Sequence, residues 1–192
     1  MAGPVASPLR VGDCCANADG SSCVIVASEQ KIRHLSAKPT WILGVGAATA
    51  SVNMSGRDGF TGLSVAREAA RQAYTMAGIE AGQVDVAEVH DCFTIAEMMA
   101  YENLGFAPPG GGRELIRAKE TYKEGTIPVN VDGGLLSKGH PIGATGGSQI
   151  RTVVLQLRDE AGDIQVNDPQ IGLIHNIGGV GLYGNVTILG SE

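Results

Sequence analysis

From Trp41 to Leu189 the apolar residues switch repeatedly between two periods, and few architectures accept that alternation. Trp41 to Ala47 (WILGVGA) reads as a buried strand. Leu63, Ala66, Ala70, Ala73 and Ala77 then recur at helical spacing, and Gly78 follows as a C-terminal cap. Val84 to Val89 (VDVAEV) predicts the next strand. Thr94-Ile95-Ala96-Glu97 has the capping-box pattern, a hydroxyl with a carboxylate three residues on, and its helix should run to Gly105. Pro108 to Gly112 reads as a loop. Ile150, Val153, Val154 and Leu157 mark a third helix, starting near Thr145 and ended by Gly162, with one Ile/Val/Leu face and one Gly/Ala face. Ile171 to Ile174 and Leu182 to Leu189 read as the last strands. Strands alternating with helices predict a layered α/β domain.

The first 37 residues do not look like a folding unit. Cys23 to Ala27 (CVIVA) has strand character, Ser28 can cap a short helix through Leu35, and Pro39 ends that piece. One strand and one helix cannot close a core, so this segment should pack on something else.

Composition excludes several classes. The formal net charge is −6 and no block of Lys/Arg occurs, which speaks against a nucleic-acid-binding role. No stretch approaches the ~20 apolar residues of a membrane span. The four cysteines, Cys14, Cys15, Cys23 and Cys92, are too few and too oddly spaced for a disulfide scaffold or a zinc site. A reduced, cytoplasmic protein is expected. The 28 glycines are about twice the usual ~7%.

Three segments join regular elements to residues with useful chemistry. His90-Asp91-Cys92-Phe93 lies between a strand and a helix, where α/β sheets gather ligands and where a helix dipole favours a thiolate. The same residues also fit a core cysteine beside a capping aspartate. Gly133 to Gly147 (GGLLSKGHPIGATGG) holds His140 between Gly139 and Pro141 as a candidate general base, or is a structural glycine loop with an exposed histidine. It lacks the Gly-Lys-Ser/Thr ending of a phosphate loop. His175 to Gly184 (HNIGGVGLYG) matches a dinucleotide fingerprint only superficially. The following NVTIL is strand-like and no acidic residue lies ~20 positions on. A glycine turn between two strands fits better, and its N–H groups can make an oxyanion site or serve only to turn the chain.

Taken together, these three segments resemble the C-terminal half of the thiolase superfamily in order and spacing, from about Pro8 to Leu189. They resemble most the HDCF-bearing members: sterol-carrier-type thiolases and archaeal and bacterial acetyl-CoA acetyltransferases. The resemblance implies a thiolase-type C-terminal domain over residues 38–192, a five-stranded mixed sheet covered by helices on both faces. Residues 1–37 would be the remnant of the end of an N-terminal domain. It implies that His140 activates a nucleophilic cysteine and helps form an oxyanion hole. His90 would order an oxyanion-hole water in place of the usual asparagine. Cys92 would be the acid/base thiol, a role that ordinary thiolases give to a Cys-x-Gly motif; here Asn176 stands at that position. Asn176, Gly178 and Gly179 would support the oxyanion loop, and Gly139, Pro141 and Phe93 would line the substrate and CoA site. No cofactor is implied beyond coenzyme A as substrate.

The reaction implied is acyl transfer between an acyl-CoA and CoA: 3-ketoacyl-CoA thiolysis or the reverse Claisen condensation. It needs a nucleophilic cysteine, and none of Cys14, Cys15 and Cys23 resembles it; Cys15 aligns with a CoA-contacting serine of many thiolases. The expected partner is therefore a second thiolase chain or N-terminal half carrying that cysteine, in an oligomer, with this chain inactive alone. Two alternatives remain at this point. One is a retro-aldol carbon–carbon lyase on a CoA ester with a zinc-ribbon/OB-fold partner, although such relatives lack the HDCF thiol. The other is a non-catalytic interaction module of the same fold.

Overall fold

The computed structural model describes residues 3–34, 38–53, 55, 57, 59 and 62–191. A short hairpin, β1 (Pro4–Ala6) and β2 (Leu9–Arg10), opens the chain. The helix α1 (Glu29–Ile32) follows, capped by the Ser28 hydroxyl accepting from the Lys31 N–H. Leu35, its expected end, lies outside the described residues. Cys23–Ala27 is not a strand. It runs as exposed coil, with Ile25 90% and Val26 74% accessible. A strand needs a neighbour to take its N–H and C=O groups, and among the described residues none pairs with it.

The domain itself is a mixed sheet in the order β3–β6–β5–β4. β3 (Trp41–Thr49) and β5 (Ile171–Gly178) both run antiparallel to β6 (Tyr183–Gly190), and β4 (Val86–Glu88) runs parallel to β5. Among the described residues this sheet has four strands, not the five expected. The fifth position is reduced to one bridge, in which Ala87 donates to Pro128 O and accepts from the Asn130 N–H. Pro128 has no N–H to extend a ladder, and Asn130 turns away at φ +50°. β4 is also shorter than the apolar run suggested, because the Val89 N–H is taken by the Asn130 side chain at 2.8 Å.

Helices cover both faces. α2 (Ser64–Ala77) lays Ala69, Ala70 and Ala73 on the face that carries Leu173, Val186 and Ile188. Its approach depends on glycine in the strand beneath: a Cβ at Gly46 would run into the carbonyl of Ala69. Gly78 ends α2 in the left-handed region, as expected. α3 (Thr94–Asn103) joins the same core through Ala100 and Tyr101. Its capping box does not form. Phe93 is the N-cap, and the Glu97 carboxylate instead accepts from the Tyr101 hydroxyl at 2.7 Å. Two short helices follow, α4 (Gly112–Arg117) and α5 (Gly134–Lys138).

α6 (Thr145–Leu157) lies on the opposite face, packing Val153 and Leu157 on Ile174 and Leu189. It ends at Leu157 rather than Gly162, because Asp159 already takes a left-handed conformation at φ +61°. Its buried surface is also more polar than expected: Thr145, Gln149, Thr152 and Gln156 form a stripe of buried side chains down one side.

Candidate active site

The site lies at the end of β4, where the chain leaves the sheet through His90-Asp91-Cys92-Phe93. Asp91 fixes this loop. It is buried, and its carboxylate accepts the N–H groups of Leu135 at 2.7 Å and Leu136 at 3.3 Å from the first turn of α5. Gly134 makes that contact possible: it sits at φ +59°, and a Cβ there would collide with Asp91 Oδ2. One carboxylate thus clamps the cysteine loop onto the glycine–histidine segment.

A second stitch comes from residues 14–17. The Cys15 N–H donates to the Cys92 carbonyl at 3.0 Å, and Cys14 stands opposite Phe93. Two residues on, the His140 N–H donates to the Ala16 carbonyl at 2.8 Å and Asn17 bridges His140. Both loops therefore hang on one extended strip of backbone.

The result brings His90 and His140 edge to face, with ring centroids 4.9 Å apart at 82°. His90 Nδ1 meets Asn176 Oδ1 at 3.2 Å, and Asn176 Nδ2 donates to Gln149 Oε1 at 2.5 Å. His140 Nδ1 meets the Thr145 hydroxyl at 2.7 Å, which in turn reaches the Pro141 carbonyl at 3.3 Å. A hydroxyl that donates to that carbonyl must accept from His140, leaving the His140 Nε2 lone pair free as a base. Gly139 enters the loop at φ +83°, and Pro141 packs under Gly20. Gly178 and Gly179 sit two and three residues past Asn176, where Gly179, Val180 and Gly181 all take positive φ in the tight β5–β6 turn. Phe93 is 44% exposed beside Cys92.

The electrostatics differ from one sequence-based expectation. The thiol of Cys92 is not drawn toward neutrality by the helix that follows. Burial pushes it up to about 11, and the neighbouring Cys15 and Asp91 add to the rise. A thiol raised this far stays protonated at neutral pH. His90 is lowered, chiefly by burial and slightly by His140, against the opposing contact with Asn176. Behind the loop, His175 is fully buried and its pKa is lowered to about 3, and among the described residues neither of its ring nitrogens has a protein partner. Glu88 is also fully buried, its pKa raised well above the ordinary value by burial and Asp132. Lys138 stands 3.9 Å from Glu88, but its ammonium is closer to Asp132, so it leaves Glu88 largely uncompensated.

Sequence reasoning singled out His90, Cys92, His140 and Asn176, and the structure gathers them at one end of the sheet. It missed three positions. In sequence Asp91 looks like a cap, and Thr145 and Gln149 fall within an ordinary helix. The signal for Thr145 and Gln149 is the spacing of Thr145, Gln149, Thr152 and Gln156, which places all four on one side of α6; Asp91 has none. Among the described residues no group of three or more His, Cys, Asp and Glu is placed to hold a metal, and no helix is long and apolar enough to cross a membrane.

A thiol, two imidazoles and a carboxamide on rigid loops can transfer protons and aim donors at a developing oxyanion. The chain is 41% identical over 177 residues to an acetyl-CoA acetyltransferase of Methanothermobacter thermautotrophicus, covering 92% of this chain and 46% of that protein. It is 39% identical to benzoylsuccinyl-CoA thiolase subunit BbsB of Thauera aromatica, covering 91% of this chain and 46% of that one. It is 37% identical to sterol carrier protein 2 of Oryctolagus cuniculus, covering 91% and 33%. The chain thus spans between a third and about half of the length of these relatives. A solved Ltp2-ChsH2(DUF35) aldolase superposes with a TM-score of 0.85 over 98% of this chain and 49% of that one, at 24% identity, and so shares the fold. The profile of the thiolase C-terminal domain-like family matches residues 46–191, and the chain belongs to that family.

Proposed function

We propose that this chain supplies the proton-transfer half of a thiolase, acting in 3-ketoacyl-CoA thiolysis or the reverse Claisen condensation. The observation that carries the reading is the convergence of His90 and His140 at 4.9 Å, with the Cys92 loop stitched to the His140 loop through Cys15 and Ala16. In thiolysis, a nucleophilic cysteine from another chain or from an N-terminal half gives its proton to His140 Nε2 and attacks the keto carbon. The carbon–carbon bond breaks with its electron pair in the enolate of the departing acyl-CoA. Cys92, held as a thiol by burial, gives its proton to that carbanionic carbon and becomes a thiolate. The thiolate then takes the proton of incoming CoA, whose sulfur attacks the acyl-enzyme and releases the nucleophilic thiolate, to which His140 returns its proton. The enolate oxygen is met by His140 and by a water held at His90.

Residues 1–37 belong, in this reading, to the end of the nucleophile-bearing half. The exposed Val24, Ile25 and Val26 support it, since a contiguous apolar stretch in water calls for a covering surface. The retro-aldol alternative has the fold likeness to the aldolase in its favour and would also release an acyl-CoA enolate for Cys92 to protonate, but the more similar sequences are an acetyl-CoA acetyltransferase and a thiolase subunit, which favours thiolysis.

The test is native mass spectrometry on untagged material from its source, followed by thiolysis of a short 3-ketoacyl-CoA. Co-purification of a chain with a reactive cysteine, and thiolysis by the complex, support the reading. The chain alone or as a homo-oligomer, without thiolysis, contradicts it.

A further inference from the structure

A buried side chain joined to His90 through Asn176 lies on a different element. Gln149 is 1% exposed on α6, and its side-chain oxygen accepts from the Asn176 amide at 2.5 Å; among the described residues its own amide nitrogen has no protein partner. A buried glutamine that leaves two donors unmatched is costly, so its placement calls for a reason. The reason follows from the next link. Accepting from Asn176 Nδ2 turns Asn176 Oδ1 toward His90 Nδ1, 3.2 Å away. A carboxamide oxygen can only accept, so Nδ1 must carry the imidazole proton. The Nε2 lone pair is then left on the side away from Asn176.

We infer that Gln149 is a positioning residue for the reaction: through Asn176 it holds His90 in the Nδ1–H form. The inference rests on the thiolase reading for its consequence, but not for the tautomer itself. With Nε2 as acceptor, a water at His90 must give one hydrogen to the ring and has the other free for the enolate oxygen. With Nε2 protonated, that water would be turned around and would offer a lone pair to an anion. Gln149 thus decides which end of the water faces the developing charge. No catalytic role is implied for Gln149, which touches neither His90 nor the reacting atoms. Its partner Asn176 occupies the position of the thiol in ordinary Cys-x-Gly thiolases, which gives that substitution a use beyond the absence of a second thiol.

The experiment compares the full chain as wild type, Gln149→Met and Gln149→Glu, each ¹⁵N-labelled at histidine. Long-range ¹H–¹⁵N spectra report which ring nitrogen of His90 carries the proton. Met is close to isosteric and cannot accept strongly, whereas Glu keeps an oxygen for Asn176. The expected result is Nδ1–H in wild type and Gln149→Glu, and a mixed or Nε2–H ring in Gln149→Met. Assayed with the nucleophile-bearing half, Gln149→Met should lose on the order of tenfold in kcat for thiolysis, less than removal of an oxyanion donor, at little change in KM, and Gln149→Glu should restore it. An Nε2–H ring in wild type, or an unchanged tautomer in Gln149→Met, overturns the inference. A wild type that has the Nδ1–H ring but no thiolysis overturns the thiolase reading instead, because the spectra need no turnover.

Discussion

Replacing His175 by leucine should make this domain more resistant to acid. His175 is fully buried on β5, on the side that carries Leu173 and opposite Val186, and among the described residues it has no protein partner for either ring nitrogen. Burial, with His90 nearby, lowers its pKa from 6.5 to about 3. Between those values the unfolded chain binds a proton that the folded chain refuses. Stability is therefore full above pH 6.5 and falls as the pH drops toward 3. At about 1.4 kcal/mol per pH unit, this one ring costs about 2 kcal/mol by pH 5. Leucine has no proton to bind and removes the two partnerless nitrogens at every pH. In urea, with a slope of roughly 2 kcal/mol/M for a domain of this size, 2 kcal/mol corresponds to about 1 M in the midpoint. Unfolding is followed through the fluorescence of Trp41 at pH 7.5 and pH 5.0. The wild-type midpoint should fall between the two by about 1 M more than that of His175→Leu, since all other titrating groups are shared. An identical pH dependence in the two proteins would refute the argument that His175 is held neutral.

Glu88→Gln should show the opposite trend. A buried carboxyl with a raised pKa gives stability that is full below about 4.5 and is lost as pH rises toward its folded value, so the variant should gain on wild type at pH 8 relative to pH 4.5 in the same urea assay. Gly134→Ala should destabilise by at least ~1 kcal/mol, because a non-glycine residue at φ +59° costs about that much before its Cβ meets Asp91; Gly143→Ala, with open space around its Cα and no positive φ, should stay within about 0.5 kcal/mol of wild type.

The elements that sequence reasoning placed well are those whose own residues determine them. α2 announces itself through alanines at helical spacing and a glycine stop, and the β5–β6 turn through its glycines. The errors fall where a distant group decides. Cys23–Ala27 has strand composition but no paired neighbour, and the Thr94 capping box gives way because Glu97 finds Tyr101. The fifth strand is cut short by Pro128 and Asn130, and β4 loses a residue to the Asn130 side chain. In the site, His140 and Cys92 stood out through distinctive flanking residues. Asp91 did not, because nothing local tells a carboxylate buried against distant N–H groups from a solvated one, and Gln149 shows in sequence only through the polar spacing along α6, which does not reveal its partner. The lowered pKa imagined for Cys92 failed for the same reason: the helix dipole is visible in sequence, and the burial that outweighs it is not.

The most direct test of the central claim, that Cys92 is the proton-transfer thiol, is α-hydrogen exchange. Acetyl-CoA is incubated in D₂O with the assembled enzyme, and loss of its methyl protons is followed by NMR beside acetyl transfer between CoA molecules. Cys92→Ala should abolish the exchange and leave acetyl transfer largely intact, while His140→Ala should damage both. Exchange that persists in Cys92→Ala, or equal loss of both activities, would contradict the assignment.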